Sequence, residues 1–392
     1  MKSKRNYNIH TIIFCLCLAV YTAICFYLYY NQLLYPITGK FEADTPVHVS
    51  MAVEDHFWYS ITAFVYLFFS LFSISKILTA LMLAVATSLA VYLTAVLADR
   101  IFDAYDITVC RPVVYTLAFL ANYAMGFYVR RFNVQHYIGY QNANMWHNST
   151  YTVMRVVALW ALILYFDIVK SGDRSFKKLW IYSLVLALTT AVKPSFLVVF
   201  APVMAIGLLF DLIFRHDKFK NVFSLGLTVV PSLVVIVLQS MVLFGGDTGN
   251  GYAISPFTAL SQRGDHPKVT LILSILFPLM VFATHIKKVF SDRIYGYSLL
   301  TWLMGFLEVF LFTETGSRGG DGNFFWGYSI ALFVVFLESA IIVVRDVYSW
   351  RAGVLGLCMK ICTIACGAVF VWHALSGVWY LALLLKGYTY FV

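Results

Sequence analysis

The chain has 392 residues, of which 61% are hydrophobic, 18% aromatic and only 12% charged. A mean hydropathy of +0.80 excludes a soluble globular domain and implies a polytopic membrane protein. The formal charge of +9 reads as membrane topology and not as a nucleic-acid footprint, because the basic residues cluster between apolar runs.

Those runs are long and do not alternate, so helices are expected and not a barrel. Helices are predicted at 11–33, 77–98, 112–129, 151–169, 180–192, 196–214, 221–243, 269–286, 294–312 and 325–345. A final apolar region, 353–385, is either one long helix or a span plus a re-entrant piece. The fold class is thus an all-α bundle of about 11 spans forming a single integral membrane domain over 1–392. The first run reads as a signal anchor. The run FWYSITAFVYLFFSLFS (57–73) is apolar enough to span, but spanning would invert every later loop and put KSGDRSFKK (170–178) outside. It is therefore expected as an interfacial helix in the first outer loop, where Trp58, Tyr59 and Tyr66 suit the membrane surface. With Lys2–Arg5 in the cytoplasm, the loops 99–111, 170–178, 215–220, 287–293 and 345–351 fall inside and, with the N-terminus, carry more than half of the 28 Lys and Arg residues. The outer loops are then 34–56, 130–150, the Lys193–Pro194 corner, 244–268 and 313–324. None of the seven cysteines lies in a long outer loop, and no disulfide framework is expected. Cys358, Cys362 and Cys366 read as one helical stripe of small packing residues.

The first outer loop, FEADTPVHVSMAVEDH (41–56), is dense in titratable groups. With Pro46 in a first helical turn, Asp44 stands at the helix start and His48 follows four residues later on the same face, with Asp55 a further seven on. Glu42, Glu54 and His56 suit a solvated surface. The pair Asp44 and His48 suits an acid/base centre, or else Asp44 is a plain helix cap. The second loop, RRFNVQHYIGYQNANMWHNST (130–150), sets Arg130 and Arg131 beside Trp146, His147 and Asn148. Aromatic faces and amides of this kind bind sugars, and they equally make an aromatic belt. The match of Asn148 to a glycosylation acceptor is taken as chance, since it abuts a span. Pro194 breaks a helix beside Lys193, and a lysine at that depth needs a wet cavity or an anion. The glycine-rich loop TETGSRGGDGNFFWGY (313–328) offers Arg318 for phosphate oxygens and Asp321 and Asn323 for a sugar, or is a flexible connector. Glu308 adds an acid near the same level. The loop 244–268 is long enough for a lid. No metal-ligand motif, phosphate-binding glycine loop or cytoplasmic nucleotide-sugar motif occurs, so an activated donor has to arrive on a lipid at the outer face.

With Asp44 in FEADTPVH, the apolar run 57–73 and basic residues at the outer membrane level, the chain resembles the GT-C superfamily of integral membrane glycosyltransferases. The resemblance implies inverting transfer of a sugar from a polyprenyl-phosphate-linked donor to a glycan, lipid or protein acceptor at the non-cytoplasmic face of a bacterial plasma membrane. It implies Asp44 as the general base, with His48 assisting. Lys193, Arg318, Arg130 and Arg131 then serve the donor phosphate, and Trp146, His147, Asn148, Asp321 and Asn323 the sugar or acceptor. No cofactor beyond the donor follows, and a divalent metal stays open. Two alternatives remain: a polysaccharide polymerase or ligase using His147 and Arg318 on a lipid-linked oligosaccharide, and a lipid-linked sugar flippase or transporter. The latter requires polar groups at the bilayer midplane, for which Gln239 and Glu308 are the nearest candidates.

Overall fold

A computed structural model of the protein describes residues 9–35, 39–53, 71–127, 129, 131–132, 146–244, 251–262, 266–316, 319 and 322–388. The predicted interfacial stretch 57–73 lies, except for its last three residues, outside them.

Nine helices among the described residues are long and apolar enough to cross a membrane. In chain order the helices are α1 (Ile9–Leu34), α2 (Thr45–Val53), α3 (Lys76–Ala104), α4 (Arg111–Tyr123), α5 (Ser149–Ser171), α6 (Phe176–Val192) and α7 (Ser195–Phe214). They continue with α8 (Phe219–Gly226), which passes through a tight turn into α9 (Val230–Phe244), then α10 (Thr258–Ser261), α11 (Pro267–His285), α12 (Arg293–Leu311), α13 (Phe324–Arg351) and α14 (Leu357–Leu385). The protein is a helical, multi-pass membrane protein. Region 353–385 forms one helix with no re-entrant piece.

Two of the eleven predicted spans fall short. The α6 helix has 17 residues and α4 only 13, which at 1.5 Å per residue is roughly 20 Å against a hydrocarbon core of about 30 Å. The α4 helix was expected to reach 129 and stops six residues early because tertiary partners take over its backbone. Met125 donates its amide to the His373 carbonyl at 3.1 Å, Phe127 donates to Leu273, and the Met125 carbonyl lies 2.7 Å from His373 Nδ1. Extended backbone at this depth is tolerated because it is enclosed by α11 and α14, which satisfy its polar groups. Gly377 permits the approach: a Cβ there would lie 1.5 Å from the Tyr123 carbonyl oxygen. The crossing of α12 and α13 is close for a similar reason, with Gly305 against Ala331 and the α13 backbone.

Polar contacts separate the two ends of the bundle. At one end Arg111 pairs with Asp99, Arg174 with Asp217, Arg293 with Asp211 and Arg345 with Asp292. At the other end meet the C-terminus of α1, all of α2, the start of α5 and the α6–α7 corner, tied by contacts described below. Between the ends, Phe14 stacks on Tyr115, Thr22 shares a hydrogen bond with Ser88, and Tyr29 with Thr87, so α1 runs along α3 and α4.

The lid-length loop 244–268 and the glycine-rich loop that begins at 313 are stitched together. Strand β1 (Gly251–Ile254) pairs antiparallel with β2 (Phe312–Thr315), Gly251 opposite Thr315 and Ile254 opposite Phe312. This small ribbon is an addition to the all-helical expectation. Glu314 of β2 then accepts the Asn323 amide N–H at 3.0 Å and Asn323 Nδ2 at 2.8 Å, closing the glycine-rich loop onto the start of α13.

Candidate functional site

Five of the residues singled out in the sequence converge at the end opposite the arginine-rich one: Asp44, His48, His147, Asn148 and Lys193. The start of α5 organises them. Asn148 is its N-cap, accepting the Tyr151 amide on Oδ1 at 2.9 Å and the Thr150 hydroxyl at 2.7 Å. That leaves Nδ2 to donate to Asp44 Oδ2 at 2.5 Å, while His147 Nε2 lies 3.5 Å from the same oxygen. His48 Nδ1 is 2.7 Å from Ser149 Oγ, and Lys193 Nζ donates to Thr150 Oγ1 at 3.1 Å. Three successive residues of one helix start thus hold one candidate each, two from the α2 segment and one from the α6–α7 corner. Beneath them, Gln32 bonds the Trp146 carbonyl and accepts from Thr45, which locks α2 to α1 and to this segment.

The plain helix-cap alternative for Asp44 loses ground here. Its backbone carbonyl starts α2, accepting from His48, but among the described residues no α2 amide donates to its carboxylate. The carboxylate faces Asn148 and His147 and keeps 35% of its side-chain surface open, whereas His147 keeps 8%. A ligand can therefore reach Asp44. Burial by itself would raise the Asp44 carboxyl, but His147, His48, the Asn148 hydrogen bond and Lys193 together outweigh it and hold the group below its usual range. His48 is pushed down to about 4, first by burial and then by the Lys193 and His147 charges, against the pull of Asp44. At neutral pH the site thus presents an anionic Asp44 and a neutral His48. The N-terminal dipole of α5 favours the anion.

The sign of the pH dependence follows from these shifts. Unfolded His48 takes up a proton near 6.5 whereas folded His48 resists until about 4, so stability declines as pH falls from 6.5 to 4. Asp44, lowered on folding, adds to the loss in more acid solution. The thermal midpoint should drop across pH 6.5 to 4, with a shallower slope in His48→Gln; parallel slopes in the two proteins would remove His48 from this account.

Trp146, Asn148 and Asn323 are engaged differently from their expected roles. Trp146, expected as a stacking surface for a sugar, is fully buried, its N–H donated to Tyr21 at 2.8 Å and its ring packed against Tyr123 and Tyr380. It lies two residues before the Asn148 cap of α5, where Gln32 holds its carbonyl and the rings enclose it. The aromatic ring at the site is Trp326 of α13, stacked on His147 at 5.9 Å and 5.5 Å from Lys193 Nζ. Asn148, expected to bind sugar hydroxyls, is 3% exposed with both amide atoms engaged, which also puts it out of reach as a glycosylation acceptor. Asn323 has its amide nitrogen on Glu314 and serves the loop closure. Arg131 is exposed in a turn. Arg130, Arg318, Asp321 and the acids Glu54 and Asp55 lie outside the described residues. Among those described, no group of three His, Cys, Asp or Glu side chains is placed to hold a metal ion.

Two features near the site carried sequence signals that went unread or half-read. Arg155, fully buried one turn below Tyr151, donates Nη2 to Asn122 Oδ1 at 2.9 Å and lies 3.9 Å over the Phe333 ring; its signal was a lone cation inside an apolar run. Glu308 is buried against Gly327, where a Cβ would lie 2.0 Å from its Oε2, so the acid packs on the residue that follows Trp326 in the chain. No protein-family model matches this chain, and no curated protein matches it either.

Proposed function

We propose that the protein is a membrane glycosyltransferase of the GT-C type, moving a sugar from a polyprenyl-phosphate-linked donor to an acceptor at the non-cytoplasmic face, with inversion. The observation that carries this reading is the open Asp44 carboxylate held between Asn148, His147 and the start of α5, with Lys193 bound two residues along the same helix start. Asp44 is the base: it takes the acceptor hydroxyl proton as that oxygen bonds to the anomeric carbon, while the phosphate leaves with the electrons of the old bond. Neutral His48, anchored on Ser149, and His147 orient the carboxylate. Lys193 supplies a cation for the departing phosphate, with the buried Trp326 ring packed beside it. The arginine-rich end is the cytoplasmic one by its charge, which puts Asp44 outside.

The test is direct. The full chain in lipid nanodiscs is given a panel of polyprenyl-phosphate sugars with candidate acceptors, and release of polyprenyl phosphate is followed. Release with at least one donor is expected, and a cysteine placed at Ser50 in cells should react with an impermeant reagent while Ser171→Cys does not. No release from the whole panel, together with labelling of residue 171 from outside, would overturn the reading. One observation favours transport as a second reading: Thr94, Asn122 and Arg155 form a buried polar chain below the site. Lipid-linked sugar crossing proteoliposomes without chemical change would select it.

A further inference from the structure

Far from Asp44, toward the arginine-rich end, the helix pairs α3–α5 and α7–α12 part to leave a slot of about 290 Å³ backed by α13. Its walls are apolar, including Ile101, Phe166, Val169, Phe200, Ile294 and Val334. The lining positions on α5 run from Leu162 to Lys170 and on α12 from Arg293 to Thr301, roughly 12 Å along the bundle, or about two-fifths of the hydrocarbon core. Lys170 and Arg293 stand at the polar mouth. Arg293 gives Nη2 to Asp211 and Tyr297 and Asp211 is shared with Arg215, so this trio carries one net positive charge; Lys170, exposed and without an ion pair among the described residues, adds a second.

Glu338 also lines the slot, and its surroundings settle its state. Tyr105 Oη lies 2.8 Å from Asp292 Oδ1 and 2.6 Å from Glu338 Oε1. One hydroxyl hydrogen cannot serve two carboxylates, so one of the acids brings its own. Asp292 is paired with Arg345 at 2.8 Å and caps α12, which makes it the anion. Glu338 is then the neutral acid: it donates to Tyr105, and Tyr105 donates to Asp292. Its other oxygen, Oε2, is left as a buried acceptor with no hydrogen bond among the described residues, in a side chain 2% exposed.

We propose that this slot is a binding site for a phospholipid: an acyl chain fills the apolar walls, the phosphate sits at Lys170 and Arg293, and a headgroup donor, amine or hydroxyl, reaches Glu338 Oε2. An apolar slot, a doubly cationic mouth and a lone buried acceptor at one end match the three parts of such a lipid. The site is separate from the Asp44 cluster and stands whether or not the protein transfers sugar.

The experiment uses the full chain, stripped of co-purified lipid and titrated by native mass spectrometry with three phospholipids of matched chains. Phosphatidylethanolamine and phosphatidylglycerol carry the donor; phosphatidylcholine has the phosphate and none. The first two should bind at least about tenfold tighter than the third, the scale of one buried acceptor left unsatisfied. Glu338→Leu should erase that difference, and inorganic phosphate should not compete. On the unmodified protein, an ethanolamine lipid with a photoreactive acyl chain should label slot residues on α5, α12 and α13, and Val169→Trp should abolish that labelling. Equal binding of all three lipids, or label spread evenly over the outer helix faces, would overturn the proposal; the labelling pattern decides even where the variants do not fold.

Discussion

Asp44→Asn should lower sugar transfer by roughly a hundredfold or more while the protein stays folded and keeps its affinity for donor. The substitution is nearly isosteric, and Asn148 Nδ2, now 2.5 Å from Asp44 Oδ2, can still donate to an amide oxygen in its place. Because no α2 amide depends on the carboxylate, the helix start survives. What disappears is the only group of the cluster that is anionic at neutral pH, since His48 is neutral and Lys193 is a cation engaged with Thr150. A neutral amide cannot accept the acceptor's proton as the new bond forms. Measured under single-turnover conditions with donor bound, the loss belongs to the chemical step and not to binding. Turnover within a few-fold of the parent protein would mean that Asp44 only positions the α5 start, and Glu54 or Asp55 would become the acids to test.

Gly377→Ala should be the most damaging glycine-to-alanine change among the described residues. Its Cβ would fall 1.5 Å from the Tyr123 carbonyl oxygen and 2.7 Å from the Tyr123 carbonyl carbon, both backbone atoms with no rotamer to yield. Separation requires α14 to move from the end of α4, which also opens the contacts of Met125 with His373 that let the chain leave the helix there. Overpacking against side chains costs about 1–3 kcal/mol, and a backbone neighbour puts this case at the upper end or beyond. The control lies in the same helix: Gly367 has nothing within 4 Å of its built Cβ, so Gly367→Ala should be neutral or gain up to about 1 kcal/mol from helix propensity. Thermal midpoints of the three proteins in detergent decide the matter. A Gly377→Ala protein as stable as Gly367→Ala would show that the α4–α14 contact is looser than described.

The parts of the site that could be read from the sequence were those where polarity breaks a local pattern. Asp44 and His48 stand four apart in a wet loop between apolar runs, and α2 does bring both to the same cluster. Lys193 could be read because Pro194 breaks a helix at that point. Trp146 and Trp326 could not be told apart: each flanks a polar loop, and only packing decides that the first is swallowed between Tyr123 and Tyr380 while the second faces His147. Asn148 was read as a sugar ligand because an amide's partners are invisible in one dimension; its partner Asp44 lies 104 residues away.

The sequence by itself determined the membrane class, the positions of the long apolar helices and the standing of Asp44, His48 and Lys193 as polar breaks between apolar runs. These are properties of single residues in lipid or water, and burial energies act on each residue independently of its distant neighbours. Tertiary structure alone decided that α4 ends at Tyr123, that 251–254 and 312–315 pair as a ribbon, that Arg155 is buried beside Asn122, and which aromatic faces the cluster. Each of those depends on contacts between segments far apart in the chain, where a carbonyl, a glycine or a ring supplied by one helix overrides the local preference of another.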